Sequence, residues 1–247
     1  SAKTLFGKFD ICLSSSFRSK KYLTTLGAKK IKYIGNLKFT ESEKNVKTLN
    51  DKLKKFFLTK KVWCASSTHN IEEKICSNVH KKLKKKYKNL LTIIIPRHIH
   101  RTKEIINEIN KLGLKIHLHD SKKKINKNTD IYLVNSFGQT KSFFKICKTV
   151  FLGGSMIKHG GQNPLEAARL GCKVLHGPYV WNFDEIYNLL KKHKVSSKIL
   201  NSNQLTYKID KMLNNKNKDR NLEFKIKNIG NKILISTLNE INFYINR

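Results

Sequence analysis

Residues 151–171, FLGGSMIKHGGQNPLEAARLG, decide the fold of this 247-residue chain. A short apolar run ends in the glycine pair 153–154, and a second glycine pair, 160–161, lies in the loop before a helical segment that stops near Gly171. A buried strand, a glycine-rich loop and a helix in this order indicate a crossing at the edge where an α/β sheet binds its ligand.

The start of that helix has the residues of a capped N-terminus. Asn163 suits the N-cap, Pro164 the first turn, and Glu166, three residues after the cap, the partner position of a capping box. Free amides at a glycine-lined helix start form a phosphate site, and a carboxylate there also suits a ribose. The alternative is that Glu166 only closes the cap and the glycines only form a turn.

Working outward, short apolar runs bounded by turn residues predict buried strands. These runs are 9–13, 31–34, 62–65, 90–95, 114–118, 131–134, 150–152 and 173–175. Helical patterns lie between them, the clearest being the four-residue repeat of Ile71, Ile75, Val79, Leu83 and Tyr87. The alternation predicts an α/β fold with a Rossmann-like, doubly wound parallel sheet.

Polar residues follow several of the predicted strands, at the edge where such sheets bind ligands. Arg97 comes after a proline that ends its strand, and its planar, permanently charged guanidinium suits a phosphate. A simple surface arginine is the alternative. Thr68 is a candidate both for this edge and, with more support, for the N-cap of the next helix.

Two H-x-H pairs, 98–100 and 117–119, lack a third ligand, so we expect no metal.

The composition points to an anionic partner. The chain has 51 Lys and Arg against 17 Asp and Glu, a formal net charge of +34, which suits nucleic acid, a phospholipid surface or a phosphorylated substrate.

Five cysteines without a CxxC pair predict reduced core residues in a cytosolic protein. No apolar run approaches a membrane span and no signal peptide opens the chain, so we expect any membrane contact to be peripheral.

Six motifs, in order and with matching spacing from about Phe9 to Leu190, resemble the bacterial 3-deoxy-D-manno-octulosonic acid (Kdo) transferases. They are GNLKF at 35–39, ASSTH at 65–69 with Glu72 and Glu73, IPRH at 95–98 with Arg101, GGS at 153–155, GGQNPLE at 160–166 and GP at 177–178 with Asn182 and Phe183.

The resemblance implies a GT-B glycosyltransferase fold of two Rossmann-like domains. It assigns residues 1–38 to the tail of an N-terminal acceptor domain with its linker, and residues 39–247 to the C-terminal domain that binds the donor, CMP-Kdo. The implied reaction is an inverting transfer of Kdo to a lipid A precursor, without cofactor or metal. The implied location is peripheral, on the anionic cytoplasmic face of the bacterial inner membrane.

The resemblance also assigns site residues. It implies that Lys38 stabilises the transition state, and it places a group of residues against CMP. That group is Pro96, Arg97, Gly138, Gln139, Thr140, Asn163, Pro164, Leu165 and Glu166. The ligand-binding edge adds Ser66, Thr68, Gly153 and Gly154 as donor-binding candidates.

Two departures from the family pattern stand out. Similar proteins read Asp-Thr-x-Gly-Glu-Leu where this chain has Asn135 to Thr140, so Asn135 and Gln139 replace acids. The family's catalytic glutamate lies in the N-terminal domain, so we expect this chain to bind donor better than it turns it over, with a separate N-terminal-half polypeptide as a candidate partner.

Other functions remain open at this point. They are another GT-B enzyme that uses a different nucleotide sugar, a noncatalytic remnant, and a basic nucleic-acid-binding protein. The last is supported by charge alone, and without an RNA-binding signature we expect no nucleic acid partner.

Overall fold

The computed structural model describes residues 1–41, 43, 46–214 and 221–246. The chain divides into two compact units, Ser1–Ser42 with Phe224–Arg247, and Glu43–Glu223. The first boundary follows the expected one at residue 38 by four residues, but the C-terminal residues group with the smaller unit and not with the expected 39–247 domain. That the smaller unit is the tail of an acceptor domain stays a prediction.

The helices and strands alternate along most of the chain. In order they are α1 (Ala2–Phe6), β1 (Cys12–Ser14), α2 (Phe17–Thr25), β2 (Ile31–Tyr33), α3 (Asp51–Leu58), β3 (Lys61–Thr68), α4 (Glu72–Lys84), β4 (Leu90–Pro96), α5 (Thr102–Lys111), β5 (Ile116–Leu118), β6 (Ile131–Leu133), α6 (Thr140–Ile146), β7 (Thr149–Leu152), α7 (Leu165–Arg169), β8 (Lys173–His176), α8 (Asp184–Lys192), β9 (Ser196–Lys198), α9 (Ser202–Asn214) and α10 (Leu222–Ile245).

The smaller unit contains a two-stranded parallel sheet. Strand β1 pairs with β2, with Cys12 opposite Ile31. Helix α10 approaches the chain after β2 closely at Gly230, where an added Cβ would lie 2.4 Å from the Phe39 carbonyl oxygen. Glycine is required at that point because any side chain would meet backbone.

The larger unit contains a seven-stranded parallel sheet, which confirms the predicted doubly wound α/β fold. The strand order is β5-β6-β4-β3-β7-β8-β9. From β3 the chain builds outward through β4 on one side, and from β7 it builds outward on the other. The sheet therefore has its topological switch point between β3 and β7, where folds of this kind bind ligands.

Apolar side chains on both faces of this sheet form two cores. Trp63 and Ala65 of β3 belong to one core and Cys64 to the other, as the alternation of a strand requires. All seven residues of β4 are buried, which explains its continuous apolar run. The predicted stripe on α4 is confirmed at Val79 and Leu83, which are buried.

The predicted start of that stripe, at Ile71, is wrong. Ile71 precedes the helix, has a φ of 76° and is 57% exposed. The expected cap is wrong as well, because Thr68 lies in β3 and Ile71 occupies the N-cap of α4 without a side-chain hydrogen bond.

A fully buried carboxylate, that of Glu72, joins the two halves of the sheet at the switch point. Its Oε2 accepts hydrogen bonds from the amides of His69, at 3.0 Å, and Gly154, at 2.7 Å. Its Oε1 accepts from the amides of Ser155, at 3.1 Å, and Met156, at 2.9 Å. Four donors match the acceptor capacity of one carboxylate, so the loop after β3 and the loop after β7 are tied through a single side chain.

Replacing this carboxylate tests its structural role. We expect Glu72→Gln to lower the free energy of unfolding by about 3 kcal/mol, because the amide NH₂ would face backbone N–H donors and leave them unpaired. Urea unfolding measures the change. The control is Glu104→Gln, a half-exposed carboxylate paired with Arg101, where we expect a much smaller loss because solvent screens an exposed pair. Equal effects of the two changes would contradict the role.

The stability of the fold also depends on neutral histidines. His176, at the end of β8, is 4% exposed, its Nδ1 lies 2.8 Å from the Gly177 carbonyl oxygen, and its ring centroid lies 4.2 Å from that of Tyr187. Burial lowers the pKa of His176 to about 4. The folded state therefore favours the neutral ring.

This shift predicts a pH dependence of stability. The unfolded pKa of a histidine is about 6.5, so the contribution of His176 is complete above that pH and is lost as the pH falls towards 4. We expect His176→Gln to remove on the order of 3 kcal/mol of this acid sensitivity, measured as unfolding free energy between pH 7 and 4. A slope identical to wild type in His176→Gln would refute the assignment.

Candidate functional site

Three loops of the larger unit meet at the carboxyl edge of its sheet, and for the loops after β3 and β7 the sequence predicts this. The amide of Gly153 donates to the Ser66 carbonyl oxygen at 2.8 Å, which joins the loop after β7 to β3. The amide of Asn182, in the loop after β8, donates to the carbonyl oxygen of Gly160 at 3.2 Å. The residues that follow β3, β7 and β8 therefore form one continuous edge around the switch point.

The second glycine pair in this edge is required by close packing. Gly160 and Gly161 have φ values of 97° and 79°. An added Cβ would lie 2.2 Å from the side-chain nitrogen of Asn182 at the first position and 2.9 Å from Val180 at the second. These glycines shape the loop, which supports the alternative that the sequence left open for them.

The amides of the first glycine pair already have acceptors inside the protein. Gly153 donates to Ser66, and Gly154, Ser155 and Met156 all donate to Glu72. A phosphate would have to displace these bonds to use the same amides. A direct contact of Gly153 or Gly154 with a donor therefore stays a prediction, whereas their role in shaping the edge is evident.

The start of α7 differs from the predicted capping box. The Asn163 side chain does accept a hydrogen bond from the Leu165 amide, at 3.1 Å, and Pro164 occupies the N-cap. Glu166 does not close the box, because its carboxylate lies 3.5 Å from the Lys141 ammonium. The helix has only five residues, and Leu165 is buried. The capping role expected for Asn163 is thus confirmed in part, and that for Glu166 is wrong.

Lys141 brings two predicted donor-binding segments together. It pairs with Glu43, at 2.8 Å, and lies near Glu166. It follows the turn of Gly138, Gln139 and Thr140, in which Gly138 has a φ of 78° and Gln139 occupies the N-cap of α6. This turn is therefore a neighbour of the segment from Asn163 to Glu166, as a shared donor site requires.

Asn135, which replaces the aspartate of the family pattern, pairs with Asp120. Its side-chain amide donates to the Asp120 carboxylate, and its oxygen accepts from the Asp120 amide at 3.3 Å. An aspartate at this position would face the negative charge of Asp120. The asparagine is therefore matched to a residue of the loop after β5.

The two arginines after β4 have different surroundings. Arg101 forms an ion pair with the buried carboxylate of Glu73 at 3.0 Å and with Glu104 at 3.1 Å. Arg97 follows Pro96, the last residue of β4, and its backbone amide donates to the Thr68 carbonyl oxygen at 2.9 Å. Its side chain is exposed, and within the described part of the chain no carboxylate pairs with it.

Three predicted residues are less accessible or lie elsewhere. Ser66 and Thr68 lie in β3 and are 1% and 0% exposed, so their hydroxyls lie beneath the loops. Lys38 is exposed in a 3-10 turn, Leu37–Thr40, of the smaller unit. Its role in catalysis stays a prediction.

His69 is a candidate site residue that is not among the donor-binding residues predicted from the sequence. It is 7% exposed, and its ring centroid lies 4.2 Å from that of His159 and 5.6 Å from that of His98. Its Nε2 is buried and has no hydrogen-bond partner among the residues that the structure describes. Burial, with the positive potential of His159, His98 and Arg97, lowers its pKa to about 4, so its ring is neutral at pH 7.

The backbone around His69 is strained. Ser67 and Ile71 have φ values of 54° and 76°, and they are two of the three non-glycine residues with positive φ in the described ranges. Such strain is typical of functional sites. The position of His69 directly after β3, between Thr68 and the Glu72–Glu73 pair, is the sequence signal that could have identified it.

The two H-x-H pairs have different surroundings. His98 is the N-cap of a 3-10 turn, Ile99–Arg101, and His100 lies within that turn, whereas His117 and His119 both contact the ring of Tyr132. Across the described residues, no three histidine, cysteine, aspartate or glutamate side chains are grouped as metal ligands. Among the same residues, no helix is long and apolar enough to cross a bilayer.

The chain is similar in sequence to several proteins named 3-deoxy-D-manno-octulosonic acid transferase. It is 29% identical to the protein of Haemophilus influenzae over 76% of this chain and 45% of the relative. It is 30% identical to the protein of Aquifex aeolicus over 85% of this chain and 56% of the relative. The chain thus spans about half the length of these curated relatives. No family model matches it.

Solved structures show the same fold. The C-terminal CMP-Kdo binding domain of WaaA from Acinetobacter baumannii superposes with a TM-score of 0.64 at 23% identity, over 74% of this chain and 93% of that domain. The trehalose-6-phosphate synthase OtsA matches with a TM-score of 0.55 at 10% identity, over 98% of this chain and 61% of that protein.

The predicted GT-B fold class is confirmed by these structures, and by sequence the chain is related to the 3-deoxy-D-manno-octulosonic acid transferases.

Proposed function

We propose that this chain is the donor-binding half of an inverting glycosyltransferase that moves Kdo from CMP-Kdo to a lipid A precursor. The observation that carries the proposal is Arg97, an arginine without a carboxylate partner among the described residues. It follows β4, the strand next to β3 at the switch point, in a chain whose relatives by sequence are Kdo transferases. Its backbone bond to Thr68 places it at the end of β3, next to the loop that Glu72 fixes.

The proposed reaction needs positive charge more than covalent chemistry. A sugar hydroxyl of the acceptor displaces CMP from the anomeric carbon, and negative charge develops on the departing phosphate. Arg97 would stabilise that charge as it develops, and the resemblance assigns a role in stabilising the transition state to Lys38. We propose that no metal or cofactor takes part, since these side chains supply the positive charge.

The general base is proposed to come from a second polypeptide segment. The chain spans about half the length of its curated relatives, so the catalytic glutamate that the resemblance implies would belong to the other half. We therefore propose that the residues described bind donor well and turn it over slowly unless that half is present.

The excess of positive charge supports a peripheral location on an anionic membrane surface. Exposed lysines cover the outer face of α4 and the loop after β5; they are Lys81, Lys82, Lys85, Lys122, Lys123, Lys124 and Lys127. Each basic group close to an anionic leaflet contributes about 1 kcal/mol, so a fraction of them suffices. For a bacterial enzyme of this class we propose the cytoplasmic face of the inner membrane.

Calorimetry with nucleotides tests the donor site. We expect the protein to bind CMP, and Arg97→Ala to lower the affinity about tenfold or more, because a charged hydrogen bond to phosphate is lost. In an enzyme reconstituted with its other half, we expect the same change to slow transfer about 100-fold. Lys85→Ala is the matched control, since Lys85 caps the opposite end of the 13-residue helix α4, about 20 Å from the sheet edge.

Two results would redirect the proposal. Tighter binding of UDP than of CMP would favour another GT-B transferase, a possibility that the shared fold of trehalose-6-phosphate synthase keeps open. Tight binding of single-stranded RNA at physiological salt, without affinity for CMP, would favour a nucleic-acid-binding protein.

Vesicle binding tests the membrane proposal. We expect the protein to sediment with anionic phospholipid vesicles at about 0.1 M salt and to be released at about 1 M, because the screening length falls from about 10 Å to about 3 Å. Vesicles of neutral phosphatidylcholine are the control and should retain little protein. Binding that is independent of salt would argue for a different mode of attachment.

A further inference from the structure

The His69 ring combines burial with an unused polar atom. It is 7% exposed, yet its Nε2 has no hydrogen-bond partner within the described residues. Leaving a buried polar atom unpaired costs about 1–3 kcal/mol, so such an atom in a native site calls for a partner that binds there. An added Cβ on Gly154 would lie 3.2 Å from this Nε2, 3.2 Å from the His159 ring and 3.3 Å from the Gln162 amide nitrogen, so the glycine lets these three side chains come together.

The protein holds this ring in place at some cost. The His69 amide donates to Glu72, and the residues two positions before and after the histidine, Ser67 and Ile71, have positive φ. Strain of this kind persists only where the surroundings impose it. Glu72 is therefore a positioning residue, because it fixes the backbone of His69 relative to the loop after β7.

The charges around the ring suit an anion. Burial lowers the pKa of His69, and the positive potential of His159, His98, Arg97 and Arg101 lowers it further. The rings of His98 and His159 are its direct neighbours. The two nearest carboxylates on α4 are already used, since Glu72 accepts from four backbone amides and Glu73 pairs with Arg101. A neutral imidazole at this position acts as a hydrogen-bond donor through one nitrogen.

We propose that His69 is a donor-contacting residue whose Nε2–H donates a hydrogen bond to a phosphate oxygen of the bound nucleotide, with Glu72 positioning it. The inference rests on the proposed function, because it assumes that a nucleotide occupies the switch-point edge. It adds a specific partner for the phosphate besides Arg97. No covalent step is involved.

Two substitutions at His69 separate the hydrogen bond from packing. We expect His69→Leu to weaken CMP binding about 10- to 100-fold, since a hydrogen bond to a charged oxygen is lost. His69→Gln can place its side-chain NH₂ near the original Nε2, so we expect it to retain affinity within about threefold of wild type. His193→Gln, at the far end of α8, is the control and should bind CMP like wild type.

The ligand cytidine identifies the phosphate as the group concerned. Cytidine lacks the phosphate, so His69→Leu should change its affinity little. NMR of ¹⁵N-labelled wild-type protein gives an independent measurement, because CMP should shift the His69 Nε2 resonance and cytidine should not. Circular dichroism and thermal unfolding check that each variant is folded, and if His69→Leu fails to fold, the NMR shift in the wild type decides.

The outcomes are distinguishable. If wild type binds CMP and His69→Leu binds it equally well, or the Nε2 resonance does not respond, the inference is wrong and the proposed function stands. If His69→Leu weakens CMP and cytidine by the same factor, the ring contacts the nucleoside and not the phosphate, which also overturns the inference. If wild type binds no CMP, the proposed function itself fails.

Discussion

The carboxylate of Glu72 is the constraint on which the ligand-binding edge depends. A parallel sheet leaves its switch point open, because the chain departs in opposite directions on the two sides of it. Here one buried side chain, with four backbone amides around it, closes the base of that opening. Glu72 uses the amide of Gly154, and the Ser66 carbonyl oxygen uses that of Gly153, so neither amide of the first glycine pair is available to an anion. The hydrogen bonds of Glu72 therefore limit which groups at this edge can contact an anion.

The arginines after β4 show how neighbouring residues of one type acquire different roles. Arg101 is bound by Glu73 and Glu104 and holds its loop against α4. Arg97, four positions earlier, has its backbone tied to β3 while its side chain stays exposed. A fixed backbone with an exposed guanidinium is suitable for binding a phosphate, because only the side chain of Arg97 has to be ordered when the anion binds.

The fold was predictable from the sequence where burial is continuous, and less so where it is not. Strand β4 is buried along its length, β3 has the apolar run Val62–Ala65, and glycine pairs follow their neighbour β7, so pattern alone located them. Strand β9, Ser196–Lys198, escaped notice because its residues are polar and it lies at the edge. The bonds of Glu72 to residues 82 to 84 positions away, and of Glu166 to Lys141, depend on tertiary packing that no local spacing encodes.

The two edge strands of the seven-stranded sheet have a consequence for the protein in concentrated solution. Strands β5 and β9 are three residues long, and β9 carries Lys198. Short edge strands, and a lysine in one of them, make poor templates for the addition of strands from other molecules, which is how aggregates of sheet proteins begin. Together with the mutual repulsion of so many lysines, they favour colloidal stability while the broad apolar interior stays enclosed.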